Sequence, residues 1–163
     1  MTGPVSGGYI SVPSSVWPAT STYTIEIVFS PGEPQPVVDT VGTIFCLDST
    51  CGASSPEAVT LSSTGGHGVG LKYIQNTIGA GPEDWIAAGA RYDLIYVCSS
   101  GAAGVYVNGI PESTGGINCA AGGSGGGIGG PGYNFSGRMA DFAVYNTVLT
   151  STQIAAHLVE LGY

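Results

Sequence analysis

The chain has 163 residues, enough for one domain with a real core and too few for two of ordinary size. Hydrophobic residues make up 43% and charged residues 9%, which excludes a disordered segment, and no apolar run approaches the ~20 residues of a membrane helix. Eleven acidic residues against three basic ones, Lys72, Arg91 and Arg138, give a formal net charge of -8; this excludes nucleic acid and an anionic membrane surface as partners, since both are held by clustered Lys and Arg.

The N-terminal MTGPVSGGYISVP lacks the basic and apolar regions of a secretory leader, so the expectation is either no export by that route or a leader removed ahead of this sequence. Strand signals follow in quick succession: YISV, YTIEIVF, TIFCL, AVTL, VGLKYI, YDLIYVC, GVYVNG and MADFAVYN. Each is short, rich in β-branched and aromatic residues, and bounded by Gly, Pro, Ser or Asn. Strands at this spacing without intervening helices predict an all-β sandwich or barrel. In YTIEIVF, Tyr23, Ile25, Ile27 and Phe29 alternate with Thr24, Glu26 and Val28, the period of a strand with one face in a core. In LIYVC both phases are apolar, as in a strand covered on both faces.

Between the strands lie the candidate functional groups. Asp39 and Asp48 fall in predicted loops, as do Glu83 and Asp84, and their oxygens suit a calcium ion. Trp85, next to Glu83 and Asp84, offers a flat apolar face for stacking on a sugar ring; Trp17 offers another, or a place in the core. The four cysteines, Cys46, Cys51, Cys98 and Cys119, are candidates for disulfides, and Cys46 and Cys51 bracket the tight loop CLDSTC. His67 and His157 stand apart from each other and from any zinc-like spacing, and read as surface histidines. VYVNGIP predicts a hairpin with an Asn-Gly turn at Asn108 and Gly109.

From Gly115 to Gly132 glycine dominates, and the segment reads as a long irregular connection, open to close approach by a partner. Within it GGGIGG has the spacing of a dinucleotide fingerprint without the strand and helix that motif needs. After MADFAVYN, Thr150 opens T-S-T-Q, a capping box, and Ile154, Leu158 and Leu161 then share one helical face. This short helix is expected to plug an edge or end of the sandwich.

Three stretches together resemble the laminin G-like branch of the concanavalin A-like lectin/glucanase jelly rolls. They are GGYISVPSS with YTIEIVFSPG, then RYDLIYVCSSGAAGVYVNGIPES, then FSGRMADFAVYNTVLTSTQI. The resemblance covers residues 1–163 as a single domain and implies a two-sheet antiparallel jelly-roll sandwich with one short C-terminal helix. It also implies binding surfaces at the loop ends or the concave face. Where the family has an acidic residue in the closing strand this chain has Ala140, with Asp141 one position on and expected on the other face.

Glycosidases of this superfamily set carboxylates at alternate positions of one strand to flank the scissile bond. Here Glu26 stands alone in its strand and Glu83 and Asp84 are adjacent, so a non-enzymatic binding or structural module is expected. Its glycine-rich, lysine-poor chain looks like the jelly-roll accessory proteins of bacteriophage particles. That resemblance implies a virion-surface role, as capsid decoration, fibre or tail-associated protein, with other virion proteins or further copies of itself as expected partners and cell-surface glycan as a further contact. The alternative is a secreted, extracellular carbohydrate-binding lectin.

Overall fold

The computed structural model describes residues 3–4, 9–32, 41–47, 58–63, 69–73, 76–77, 86–112, 118–119, 121, 125–129 and 135–162. In chain order the strands are β1 (Gly3–Pro4), β2 (Ile10–Val12), β3 (Thr22–Pro31), β4 (Val41–Cys46), β5 (Ala58–Ser63) and β6 (Val69–Tyr73). They continue with β7 (Asn76–Thr77), β8 (Tyr92–Ser99), β9 (Ala102–Val107), β10 (Ile110–Glu112), β11 (Gly126–Ile128) and β12 (Gly137–Tyr145), and the helix α1 (Ser151–Leu161) closes the chain. Two six-stranded antiparallel sheets result, ordered β1-β12-β3-β8-β9-β10 and β2-β11-β4-β5-β6-β7. This is the jelly-roll sandwich expected from the sequence.

The alternation in β3 sorts its side chains as its period requires. Tyr23, Ile25, Ile27 and Phe29 enter the core between the sheets, where they meet Tyr92, Leu94 and Tyr96 of β8 and Phe45, Val59 and Leu61 of the second sheet. Phe29 stacks on Tyr92 with centroids 5.4 Å apart and meets Phe135 edge-on at 6.0 Å, arrangements that add to simple burial. Trp17 also belongs to this core; its indole nitrogen donates to the Val12 carbonyl at 3.2 Å. It therefore packs and is not an exposed sugar platform.

The second apolar phase of LIYVC has its own partner. Ile95 and Val97 on the outer face of β8 form a separate cluster with Leu149 and Ile154, flanked by Tyr106, Tyr145 and Val148. Thus α1 lies on the face of the first sheet and does not plug an edge, because the doubly apolar central strand leaves an uncovered face that must be buried. Hiding Ile154, only 2% exposed, contributes about 2 kcal/mol. The predicted capping box is present: Gln153 N donates to Thr150 Oγ1 and Thr150 N to Gln153 Oε1, at 3.3 and 2.9 Å. Buried Thr24 ties the approach to the helix onto β3, its hydroxyl accepting from Leu149 N and donating to the Thr147 carbonyl.

The glycine-rich connection contains a strand that its composition conceals. β11 pairs with β2 on one side and β4 on the other and so joins them into one sheet. Its glycines are required by contact. A Cβ at Gly126 would run into the Trp17 ring and the Cys46 carbonyl, and one at Gly127 into the Tyr9 ring and the Ile10 carbonyl. The nucleotide-like spacing of GGGIGG is thus a by-product of a backbone packed beneath two aromatic rings.

The Asn-Gly turn between β9 and β10 is as expected, with φ of 49° at Asn108 and 75° at Gly109. Cys98 and Cys119 form a disulfide, S–S 2.02 Å, and Cys46 is disulfide-bonded as well; Cys51 lies outside the described residues.

Candidate functional site

A β-bulge in the closing strand builds the site. Between Ala140 and Ala143 the register of β12 against β3 shifts, and Asp141 takes φ of 52°, a left-handed conformation that Asp tolerates better than most residues. One inserted residue reverses the faces beyond it. Met139 points into the core before the bulge, Phe142 and Val144 do so after it, and Tyr145 is left on the outer face beneath α1. The expectation that Asp141 simply occupies the opposite face of a regular strand is therefore corrected: it sits exposed at the crest of the bulge.

On the outer face Tyr145 of β12 meets Glu26, the lone carboxylate of β3, which finds its partners on other elements. The Tyr145 hydroxyl donates to Glu26 Oε2 at 2.8 Å, and His157 Nδ1 of α1 lies 3.0 Å from the same oxygen and 3.2 Å from Oε1. The Glu26 side chain is 7% exposed and that of His157 26%, so His157 is no ordinary surface histidine: it pins the helix to the centre of the sheet. Burial, then the bond to Glu26 and its charge, push the Tyr145 phenol well above the usual tyrosine range. Arg91 secures the far end of the helix, donating to the Leu161 carbonyl at 3.0 Å.

Beside this anchor runs an open groove of about 460 Å³ between α1 and β12, lined by Glu26, Asp141, Phe142, Tyr145, His157 and Glu160. These residues offer carboxylate acceptors, an imidazole and the Tyr145 ring, with no Lys or Arg among them, while the Phe142 ring turns inward against Trp17. Such a surface accepts hydrogen bonds from hydroxyl or amino groups and packs apolar ring faces. A second hollow of about 400 Å³ lies on the inner side of the bulge, walled by Ile27, Ile128, Met139 and Phe142, with Asp141 shared between the two.

The sequence marks none of these groove residues as a ligand contact. The expected contacts Glu83, Asp84 and Trp85, and the expected calcium ligands Asp39 and Asp48, lie outside the described residues, as does His67. Among the described residues no three His, Cys, Asp or Glu side chains gather as a metal site, and no helix is long and apolar enough to cross a membrane. The sequence carries only two separate signals for the groove, a lone carboxylate in an otherwise apolar strand at Glu26 and a histidine three residues after Ile154 on the closing helix.

No curated protein matches the sequence. Among solved structures, sialidase from Trypanosoma rangeli superposes with a TM-score of 0.65 at 17% identity, covering 98% of this chain and 27% of the sialidase. This chain thus spans about a quarter of that enzyme's length. Domain 4 of AbnA, a GH43 extracellular arabinanase from Geobacillus stearothermophilus solved in complex with arabinotriose, gives 0.60 at 18% identity, covering 95% of this chain and 75% of that one. The native heptameric SAP-like pentraxin from Limulus polyphemus gives 0.55 at 21%, covering 85% and 70%. At these identities the likeness is one of fold. The family profile of the concanavalin A-like lectin/glucanases superfamily matches residues 4–155, nearly the whole sandwich and the first turn of α1, and the chain belongs to that superfamily.

Proposed function

We propose that this chain is a non-catalytic carbohydrate-binding module, and that the groove between α1 and β12 holds the sugar. The observation that carries this reading is the lining itself. Glu26, Asp141 and Glu160 bring carboxylates to the same hollow as the Tyr145 ring. Sugar hydroxyls donate to carboxylates while the C–H faces of the ring pack on aromatic carbon, and the volume falls in the range of small-ligand sites. The arabinotriose bound by the arabinanase domain agrees with this class of ligand. Glu26 is tied to both His157 and Tyr145 and nearly buried, an unsuitable state for a free acid or base. Release of sugar from a polysaccharide, abolished by replacing one carboxylate, would overturn the non-catalytic part.

The direct test is a glycan array followed by calorimetry on the leading ligand. Asp141→Gly combined with Glu160→Gln removes two carboxylates, leaves the buried Glu26 anchor intact, and is expected to weaken binding at least about tenfold. If that variant binds normally while Trp85→Ala does not, the ligand belongs to the loop of Glu83, Asp84 and Trp85. A blank array with folded protein removes the glycan reading.

The disulfide between Cys98 and Cys119 favours an oxidising, extracellular setting. A second setting is display on a bacteriophage particle among other virion proteins or further copies of the chain; for self-assembly alone, the heptameric pentraxin of the same fold is a precedent. Native mass spectrometry with intact-particle imaging of the natural source separates the two. A fixed copy number on a symmetric particle places the module on a virion; a free monomer makes it a secreted lectin.

A further inference from the structure

Beneath α1 lies a carboxyl group that the groove does not use. Asp93, on the outer face of β8, is fully buried, and neither of its carboxyl oxygens has a hydrogen-bond partner among the described residues. Its place is fixed by reciprocal bonds to the turn. Asp93 N donates to Asn108 Oδ1 at 2.9 Å, and Asn108 N donates to the Asp93 carbonyl at 2.8 Å. The side chain therefore cannot move along the strand to find a donor.

Charged and titratable groups face it from several elements. From β3, Glu26 lies diagonally across on the same face, since Asp93 pairs with Val28 and Ile95 with Glu26. From α1 comes His157, from β12 the Tyr145 phenol, and from the turn before β8 Arg91; from β9 comes the partly buried Tyr106 of the neighbouring apolar cluster. A buried carboxyl without a donor is tolerated as the neutral acid and not as the anion. We propose that Asp93, with Glu26 beside it, makes the seating of α1 pH-dependent: the C-terminal half of the helix lies on the sheet while Asp93 holds its proton and lifts when Asp93 ionises.

The contacts of that half are few enough to yield. His157 on Glu26, Arg91 on the Leu161 carbonyl and Leu158 against Gly109 hold it, whereas the first turn is fastened separately by its capping box and by Ile154 in the Ile95–Val97 cluster. Burial first, and the Glu26 charge second, raise Asp93 from 3.8 to about 7, against the opposing pull of His157 and Arg91. Because the seated state binds the proton more tightly than a lifted, solvated one, seating is at full strength below about pH 4. It weakens as the pH rises, and the loss is complete above about 7. His157 and Glu160 leave with the helix, so if the groove is the sugar site it is assembled in acid and dismantled in base. The seating itself is measured without any ligand and stands apart from the glycan reading.

Hydrogen exchange by mass spectrometry on the whole chain, corrected for intrinsic rates, tests it. Between about pH 5.5 and 8.5 the amides of residues 157–161 should lose protection on the order of tenfold, while those of Ile25 and Ile27 in β3 hold theirs. Asp93→Asn should flatten that profile. Constant protection in the parent protein, or an unchanged pH dependence in the variant, would overturn the proposal. Should the variant fail to fold, carboxyl carbon NMR of the parent decides: titration of Asp93 near 7 supports the latch, and titration near 4 refutes it.

Discussion

Tyr145 donates its hydroxyl to Glu26 at 2.8 Å from the adjacent strand, and it faces that way because the bulge at Asp141 reverses the side-chain order of β12. Glu26 is nearly buried, so each of its partners counts. Tyr145→Phe removes the donor and keeps the ring. The expected cost is about 2 kcal/mol, typical of a hydrogen bond to a charged group, read as a lower urea midpoint with an unchanged slope. No change in midpoint would mean that the bond contributes nothing net.

Asp141 separates two effects that usually travel together. Its φ of 52° disfavours most side chains, while its carboxylate faces the groove. Asp141→Gly relieves the backbone and is expected to leave stability within about 1 kcal/mol of the parent. Asp141→Val, β-branched in the same conformation, should cost roughly 1–3 kcal/mol. Equal melting behaviour of the two variants would show that the left-handed position is not retained.

Much of the architecture was legible because it follows from short-range pattern. All eight strand signals became strands, the Asn-Gly turn and capping box formed as read, and the two apolar phases of LIYVC correctly announced a strand covered on both sides. What escaped depends on contacts distant in sequence. Gly126 and Gly127 form a strand because Trp17 and Tyr9 occupy the space a side chain would need, more than 100 residues earlier. The bulge at Asp141 inserts one residue without altering the strand-like composition of MADFAVYN, so a period-two reading puts Tyr145 on the wrong face. Glu26 and His157 are 131 positions apart, and nothing local to either names the other.

The disulfide joins the end of β8 to a segment that otherwise touches the described fold through the Ala102–Asn118 bridge and the bond from Cys119 N to the Gly101 carbonyl. Its 21-residue separation sets the entropy it removes from the unfolded chain, about 3 kcal/mol for a loop of that length. Cys98→Ala with Cys119→Ala should lower the denaturation free energy by that order. The inward-facing position of Cys98 adds a small cavity cost to the substitution. Reduction breaks the Cys46 disulfide as well, so the matched experiment reduces a Cys46→Ala protein, which lacks the cavity term and should lose somewhat less than the double variant. A drop of only a few tenths of a kcal/mol in both experiments would show that the segment is held by its other contacts.

Gly109 and Gly162 distinguish conformational strain from collision. Both have positive φ, 75° and 82°, so alanine at either costs about 1 kcal/mol in backbone strain. Around Gly162 nothing lies within 4 Å, whereas a Cβ on Gly109 would strike the Leu158 side chain. Gly162→Ala should therefore cost about 1 kcal/mol and Gly109→Ala roughly 2–4, the excess arising from overpacking against the helix. The excess should vanish in a Leu158→Ala background, where the two changes are less than additive because they share one contact. Denaturation midpoints of the four proteins complete that cycle. Strict additivity would place Leu158 away from the turn and remove one of the three contacts assigned to the far end of α1.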